Sequence, residues 1–440
     1  MSNNQAERIN GELLFMAYTV IFTIGPSFTK VLGQPISRIA TLVTVPILFF
    51  LNAGKMRFCR KDIFYVFVFS FLLKLIPYMA NGEPDRIVVE TIEVFLPLML
   101  IFFVFHHDHS LIEKTITIVI VTSAIICVFG LVEEFFHFNV FSLIENYQFA
   151  NPRLGTNTTF RWGVYRIEQG FNTSLTYELY LAMCIGLTFY RFFVASNSKI
   201  RYVIILFLQI VNCILTMSRG ITLVLGCGII GIIVLNKKKI KIRFIILSII
   251  ILLTSIYLLA HFQKDLFEGF GNVFESIFSI LRTGNGGAFD DNSISDRHFF
   301  QSRAFEALEN PRNLFFGIGE EGLRALRTID NDWLLEITAF GVFGLISFGI
   351  LTLYPLAFSV NKWLYLTKKR STESNEKQIV FYKCMTMTFL IYALSLFTVA
   401  QMEEARMFYL LIGISCFYFV LKDEQEPCLA QRDFDTEGRN

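Results

Sequence analysis

The 440-residue chain is 54% hydrophobic and 17% charged, with 49 Phe and a mean hydropathy of +0.53. That composition excludes a soluble protein of two or three domains, whose surface needs more charge. A formal net charge of +2 decides nothing by itself, and no nucleic-acid partner is expected.

Apolar blocks of roughly 17 to 25 residues, the length that crosses a hydrocarbon core, recur along the chain. They predict helices at 11–31, 36–53, 62–80, 87–106, 114–136, 172–194, 200–217, 219–236, 243–260, 333–361, 378–400 and 404–422. The first 31 residues lack a basic start and a small-residue cleavage site, so the first block reads as a retained helix rather than a signal peptide. The basic segments KMRFCRK (55–61), RFFVASNSKIR (191–201), KKKIKIR (237–243) and KWLYLTKKR (362–370) fall on one side if both termini are cytoplasmic. The expected fold is therefore an all-α polytopic membrane protein of about twelve transmembrane helices in the lipid bilayer, with both termini cytoplasmic. Its divisions are helices 1–5 (1–136), a first outer loop (137–171), helices 6–9 (172–260), a large outer loop (261–332), helices 10–12 (333–422) and a disordered cytoplasmic tail (423–440).

An outer segment of about 70 residues is too long for a mere connector and usually carries function. Within it, SDRHFFQSRAFEALEN (295–310) has apolar residues at helical spacing. It reads as an amphipathic helix, lying near the membrane surface or packing inside the loop. GNGGAFDDNS (284–293) is a flexible turn region. The eight cysteines fall inside helices (Cys127, Cys184, Cys213, Cys227, Cys384, Cys416) or on the cytoplasmic side (Cys59, Cys428), so no disulfides are expected. No CxxC or His/Cys cluster suggests a metal, and no internal repeat marks a two-fold transporter.

Ionisable residues inside a membrane are costly and point to function. Lys74, Glu90, Glu93, Glu133, Glu134, Glu178, Arg219, Glu336, Glu403, Glu404 and Arg406 all fall toward the outer ends of their helices. Snorkelling to water is the alternative, above all for Glu133 and Glu403, but it should populate both leaflets, and the inner half is almost free of buried acids. A polar cavity open to the outside explains the asymmetry better. The outer side also carries Arg86, Arg153, Arg161, Arg166, Arg219, Arg282, Arg297, Arg303, Arg312, Arg324, Arg327 and Arg406 against only Lys30 and Lys264, whereas the inner loops favour Lys. The planar, permanently charged guanidinium suits phosphate recognition. Arg219, in the tight MSRG turn (217–220), is the sharpest case; a structural salt bridge to a carboxylate of the fourth or sixth helix is its alternative. A second cluster, FFGIGEEGLRALRTIDNDWLLEITAFGVFG (315–344), has a turn at Gly317 and Gly319, then Arg324 and Arg327, then Asp330, Asn331 and Asp332. The last three read either as an N-cap group, with Asp332 the capping candidate, or as part of a site.

Three stretches resemble the Wzy/O-antigen-ligase superfamily of bacterial glycosyltransferases. MSRG and its following apolar helix resemble the family's SRG core start. DRHFFQSRAFEALENPRNLFFGIG (296–319) resembles its pattern of an Arg, a short helix, an Asn-Pro step and a G-x-G turn. DNDWLLEITAFGVFG (330–344) resembles the ligase motif H-[NSQ]-x9-G-x-x-G, with Asn331, Gly341 and Gly344 in register. Asp330 stands where the ligases carry His, which is more like the O-antigen polymerases.

The resemblance implies a GT-C-like fold in the bacterial inner membrane, with an active site facing the periplasm. Its substrates would be undecaprenyl-diphosphate-linked oligosaccharides, as donor and as acceptor, with no metal and no cofactor. A chain-length regulator and a flippase are the protein partners it brings to mind. A diphosphate leaving group needs its charge stabilised: Arg219, Arg166 (in YRIEQGFN, 165–172) and Arg297 come first for this, then Arg324 and Arg327. An acceptor hydroxyl needs orienting, and either a base deprotonates it or so good a leaving group makes a base unnecessary; as base, Asp330 is the first choice and Glu168 the second. Asn331, Glu336, Arg303, Trp162 and Tyr165 would orient substrate, and Phe160 and Trp333 either stack on sugar faces or anchor at the interface. The alternatives are a ligase acting on lipid A core or protein, a flippase or solute transporter, and a non-catalytic partner in polysaccharide assembly.

Overall fold

A computed structural model describes residues 3–24, 30–31, 34–51, 61–107, 110–136, 138–143, 160–161, 164–169, 171, 173–196, 199–237, 292–326, 331–369, 373–398 and 406–418. Its helices are α1 (Asn3–Ile24), α2 (Ile36–Leu51), α3 (Lys61–Ala80), α4 (Pro84–Glu90), α5 (Leu96–His107), α6 (Ser110–Phe136), α7 (Ser174–Val194), α8 (Lys199–Leu215) and α9 (Arg219–Leu235), followed by α10 (Asn292–Leu308), α11 (Pro311–Phe316), α12 (Gly319–Leu326), α13 (Asp332–Lys368), α14 (Glu373–Ser395) and α15 (Met407–Phe417). A π-turn, Thr91–Phe95, joins α4 to α5 in one rod. A 3-10 turn, Val140–Leu143, and two hairpins of two-residue strands complete the described elements: β1 (Lys30–Val31) with β2 (Gln34–Pro35), and β3 (Phe160–Arg161) with β4 (Val164–Tyr165).

Eleven of the twelve expected segments fall on helices, and the ninth, 243–260, lies outside the described residues. Among the described residues six helices are long and apolar enough to cross a membrane (62–80, 84–106, 110–136, 174–194, 332–368 and 375–395), and shorter apolar helices cover 11–24, 36–50, 219–235 and 407–417. The protein is an all-α, multi-pass membrane protein.

The expected boundaries need three corrections. Lys30 and Val31 belong to a hairpin and not to the first helix, because Gly25-Pro26 is a poor continuation of a helix. The expected helix 378–400 stops at Ser395 and turns through 396–398. There the Leu396 carbonyl, no longer needed within α14, accepts from Asp332 N at 2.9 Å. The segment expected as one helix from 333 is broken: Gly341 sits at φ 65°, ψ −159°, dividing α13 into a short N-terminal piece and a long C-terminal one.

α7 is the axis of the bundle. It packs on α6, α8, α9, α14 and α15, and is buried over most of its length. Small residues allow the close approach that membrane helices use in place of a hydrophobic driving force. A Cβ on Gly186 would overlap Thr388, and one on Gly228 would overlap Ile391. The surrounding core is aromatic, with Phe102, Phe105, Tyr177, Tyr180, Tyr382 and Tyr392 fully buried.

Polar contacts sort the helix termini into two ends. At one, the C-termini of α3, α6, α8 and α14 meet the N-termini of α2, α4, α7, α9, α13 and α15, through contacts such as Lys74–Glu336, Thr216–Glu178 and Asp332–Leu396. At the other, Glu12 pairs with Lys114 at 2.6 Å and Glu113 with Arg191 at 2.5 Å. Acids therefore do occur at the expected inner end, but in pairs at the rim. Among the described residues the buried acids, Glu90, Glu133, Glu134, Glu178, Asp332 and Glu336, all belong to the first end.

Candidate functional site

The site forms where two helix N-termini and a strap converge. α8 ends at Leu215, and the chain reverses through Thr216 and Met217 before α9 starts at Arg219. Met217 takes φ 54°, an uncommon conformation for a long side chain, held here in a fully buried position. The turn is pinned from below by Glu178 of α7. Its Oε2 accepts from Thr216 Oγ1 at 3.0 Å and its Oε1 from Thr222 Oγ1 at 2.7 Å, and the Ser218 hydroxyl bonds to it as well. Ser218 is the N-cap residue of α9 but makes no side-chain bond to its own helix. The first amides of α9 thus carry no side-chain cap, with the half-exposed Arg219 at their head.

The strap, Val164–Thr173, brings Arg166 to this turn: its Nε donates to the Thr216 carbonyl at 2.9 Å, beside Glu178. Gln169 anchors the strap. It is fully buried at φ 52°, its backbone N donates to Glu133 Oε2 at 3.1 Å, and its side-chain amide also bonds to Glu133. Asn139 ties both together, donating to Glu133 Oε1 and to the Gln169 carbonyl at 3.0 Å each. Snorkelling is thus ruled out for Glu133: it is fully buried, and its oxygens hold the strap. Glu168, half-buried, follows Arg166 on this strap and stands near Glu133.

The turn after α14 joins the start of α13 to the start of α9. Asp332 N donates to the Leu396 carbonyl, Trp333 Nε1 to the Ala393 carbonyl at 3.3 Å, and the Trp333 ring stacks on Phe397 at 5.4 Å. On the other side of the same turn, a Cβ on Gly220 would stand 2.9 Å from Thr398. The glycine of MSRG lets α9 approach the turn that holds α13. Trp333 also meets Phe348 edge-on at 4.7 Å, so it is a packing residue of this junction. The capping side chain of α13 is Asn331, whose Oδ1 accepts from Leu334 N at 3.1 Å, and not Asp332, which is the buried first residue of the helix.

The G-x-G turn and the break in α13 are one device. Gly317 (φ 72°) and Gly341 (φ 65°) face each other. A Cβ on Gly317 would overlap the Ala339 carbonyl, and one on Gly341 would overlap the backbone of Phe315. Both glycines are required twice over, for left-handed φ and for backbone contact. Ile318 N donates to the Thr338 carbonyl at 2.9 Å across the gap. Below, α12 is held by Glu83 Oε1, which accepts from Glu320 N at 2.8 Å, and by an ion pair between Arg86 and Glu320. Burial raises the Glu320 carboxyl above its usual range against the opposing pull of Arg86.

The predicted site residues divide by place. Arg166 reaches the turn that precedes Arg219, Glu168 stands on the same strap near Glu133, and Asn331 caps α13. Arg324 lies apart on α12, 70% exposed and 3.7 Å from Glu320. Arg303 is exposed on α10, its guanidinium 5.9 Å from the Phe299 ring centroid. Glu336 turns to the opposite side, toward Lys74 at 3.3 Å. Arg297 and Tyr165 are described in backbone only, on α10 and β4, while Asp330, Arg327 and Trp162 lie outside the described residues. α10 packs inside its region through Ala304 on Leu334, while Phe299 and Phe305 remain exposed.

Sequence reasoning placed Lys74, Glu90, Glu93 and Arg406 at the right depth but gave them no site. It passed over Arg38 altogether. Glu93 Oε1 accepts from Arg38 Nη2 at 2.7 Å and from Arg406 Nη2 at 3.3 Å, and Arg406 also bonds to Ser37. Such pairs join helices far apart in sequence, and a single chain carries no sign of them.

The architecture defines a multi-pass membrane protein with a cation-bearing junction at one end of its bundle. Residues 204–349, about a third of the chain, match the family model described as O-antigen ligase. That match supports the O-antigen ligase/polymerase superfamily without distinguishing the polymerase branch. It spans the MSRG turn, the G-x-G turn and the break at Gly341. It supports a glycosyltransferase-like activity in polysaccharide biosynthesis, with lipid-linked glycan substrates. No curated protein matches the chain.

Proposed function

We propose that the protein is an O-antigen polymerase that joins undecaprenyl-diphosphate-linked repeat units at the periplasmic face of the inner membrane. The observation that carries this reading is the meeting of Arg166, Arg219 and the uncapped N-terminus of α9 beside the start of α13. Helix amides and a guanidinium fork together make an anion site. A diphosphate seated there leaves with the bonding electron pair as the glycosidic bond breaks, so charge stabilisation is the main catalytic demand. The acceptor is a hydroxyl at the non-reducing end of another lipid-linked unit.

Asp330, in the place where the ligases carry His, favours polymerisation over transfer to lipid A core. The ligase reading stands second, on the description of the matched family. Deletion of the gene followed by glycan electrophoresis separates them. A polymerase mutant loses the long-chain ladder and keeps the single-repeat product, a ligase mutant loses every capped form, and an intact ladder contradicts both.

A further inference from the structure

Four residues on from Asp332, Glu336 lies about one helical turn into the bundle and roughly 40° around α13 from it. It is 3% exposed. Its Oε1 pairs with Lys74 Nζ at 3.3 Å, while its Oε2 is buried without a hydrogen-bond partner. Lys74 is shared with Glu90, whose Oε1 stands 3.4 Å away and whose Oε2 accepts from the Tyr78 hydroxyl at 3.4 Å. These side chains come from α3, α4 and α13, and Lys74, Glu90 and Glu336 wall a cavity of about 40 Å³. Its other walls include the stacked rings of Phe71 and Phe95, 4.5 Å apart. The Ser70 and Ser347 hydroxyls also line it, but each donates to the other's carbonyl, at 2.9 and 2.8 Å.

An unpartnered buried carboxylate oxygen is costly, and more so for a charged group than for a neutral one. The cavity has room for roughly three waters, and hence for the hydroxyl-bearing edge of a sugar ring but not for a whole ring. Lys74 already supplies an ammonium to Glu336, so a hydroxyl is enough to satisfy Oε2 without a further charge. The missing partner is a neutral hydrogen-bond donor of hydroxyl size, with C–H groups to lie against the rings. A small, mostly apolar pocket with one directed polar group selects for that chemistry.

Resting on the transfer reaction proposed above, we propose that this cavity is the acceptor subsite, and that Glu336 Oε2 receives the attacking sugar hydroxyl. The oxygen of that hydroxyl bonds to the anomeric carbon of the donor as the carbon–oxygen bond to the diphosphate breaks. The electron pair of the broken bond leaves with the diphosphate, and the hydroxyl proton passes to Glu336 Oε2 and then to water. Lys74 and Glu90 are positioning residues: Lys74 occupies Oε1, which leaves Oε2 for the acceptor.

The test uses the full-length protein in a bilayer mimetic with a lipid-diphosphate-linked oligosaccharide. Glu336→Gln keeps shape and an acceptor oxygen but cannot take a proton. It should lower kcat about 100-fold or more, the lower range for general base catalysis, with the donor KM changed less than about twofold. Glu336→Asp keeps the charge and withdraws the oxygens by one methylene; it should raise the acceptor KM and leave the donor KM alone. A Gln variant within about threefold of wild-type turnover, or an Asp variant with an unchanged acceptor KM, overturns the assignment. If the wild type transfers nothing, the polymerase reading and this inference fall together; if the wild type is active and the variants match it, only the inference falls.

Discussion

The Arg219 junction and the Lys74 cavity lie at the same end of the bundle, yet they are built from opposite charges. At the junction, Arg166 and the N-terminus of α9, headed by Arg219, stand by a carboxylate, Glu178, that is engaged by hydroxyls of the turn it pins. In the cavity, two carboxylates share one ammonium, and one carboxylate oxygen stays unpartnered. The first place suits an anion and the second a neutral hydrogen-bond donor. Those are the needs of the two halves of a glycosyl transfer, a departing diphosphate and an attacking hydroxyl. Buried ion pairs alone do not reveal function, since many only hold helices together; what differs here is the charge each cluster presents.

Substitutions that separate turnover from stability sharpen or break this contrast. The largest effect on turnover is expected from Arg219→Ala. Loss of one donor to a developing oxyanion typically lowers kcat by about 100- to 1,000-fold. Arg219 is half-exposed, so its removal should leave thermal stability nearly unchanged. Arg219→Lys should recover little, because an ammonium cannot offer the bidentate fork. A parallel fall in turnover and melting temperature would make Arg219 a scaffold residue instead.

The largest effect on stability is expected in the cavity. Lys74→Met leaves Glu90 and Glu336 buried without their shared cation, a loss of about 3–5 kcal/mol of the kind seen when one partner of a buried pair is removed. Adding Glu336→Met should restore part of it, a coupling that thermal unfolding in detergent reads directly. Independent losses would show that the three residues are not one unit.

At the device joining the two regions, Gly341→Ala meets both a left-handed φ and the Phe315 backbone. It should cost at least about 1 kcal/mol from the conformation alone, and more from the overlap. Asn331→Ala, which removes only the cap of α13, should cost about 1 kcal/mol, and Asn331→Asp should be nearly neutral.

Sequence and structure agree best where a signal is local. Apolar blocks of spanning length and the alternation of basic loops made the helices legible, and the motif glycines stood out. Hydropathy is blind to a break within an apolar run, so neither the kink at Gly341 nor the turn at 396–398 was visible. The glycine motifs were recognised one by one. Their pairing, Gly317 against Gly341, needs the fold. Charge depth grouped these residues at one end of the bundle, as the structure does, but did not give their partners. Glu133 looked like a snorkelling end residue and is instead the anchor of Gln169, 36 positions away. Arg166 reaches Thr216 across 50 positions, and no periodicity encodes such a contact. The choice of Asp332 as cap failed by one residue because Asp and Asn both serve at that position, and only the backbone of Asn331 is extended.

The central claim is that the junction of the strap, α9 and α13 seats a lipid diphosphate. Its most direct test is equilibrium binding of undecaprenyl diphosphate to the purified wild-type protein and to Arg219→Ala. Binding at least about 100-fold weaker in the variant is predicted, equivalent to the 2–3 kcal/mol of a charge-assisted contact. Equal affinity in the two proteins would contradict the account.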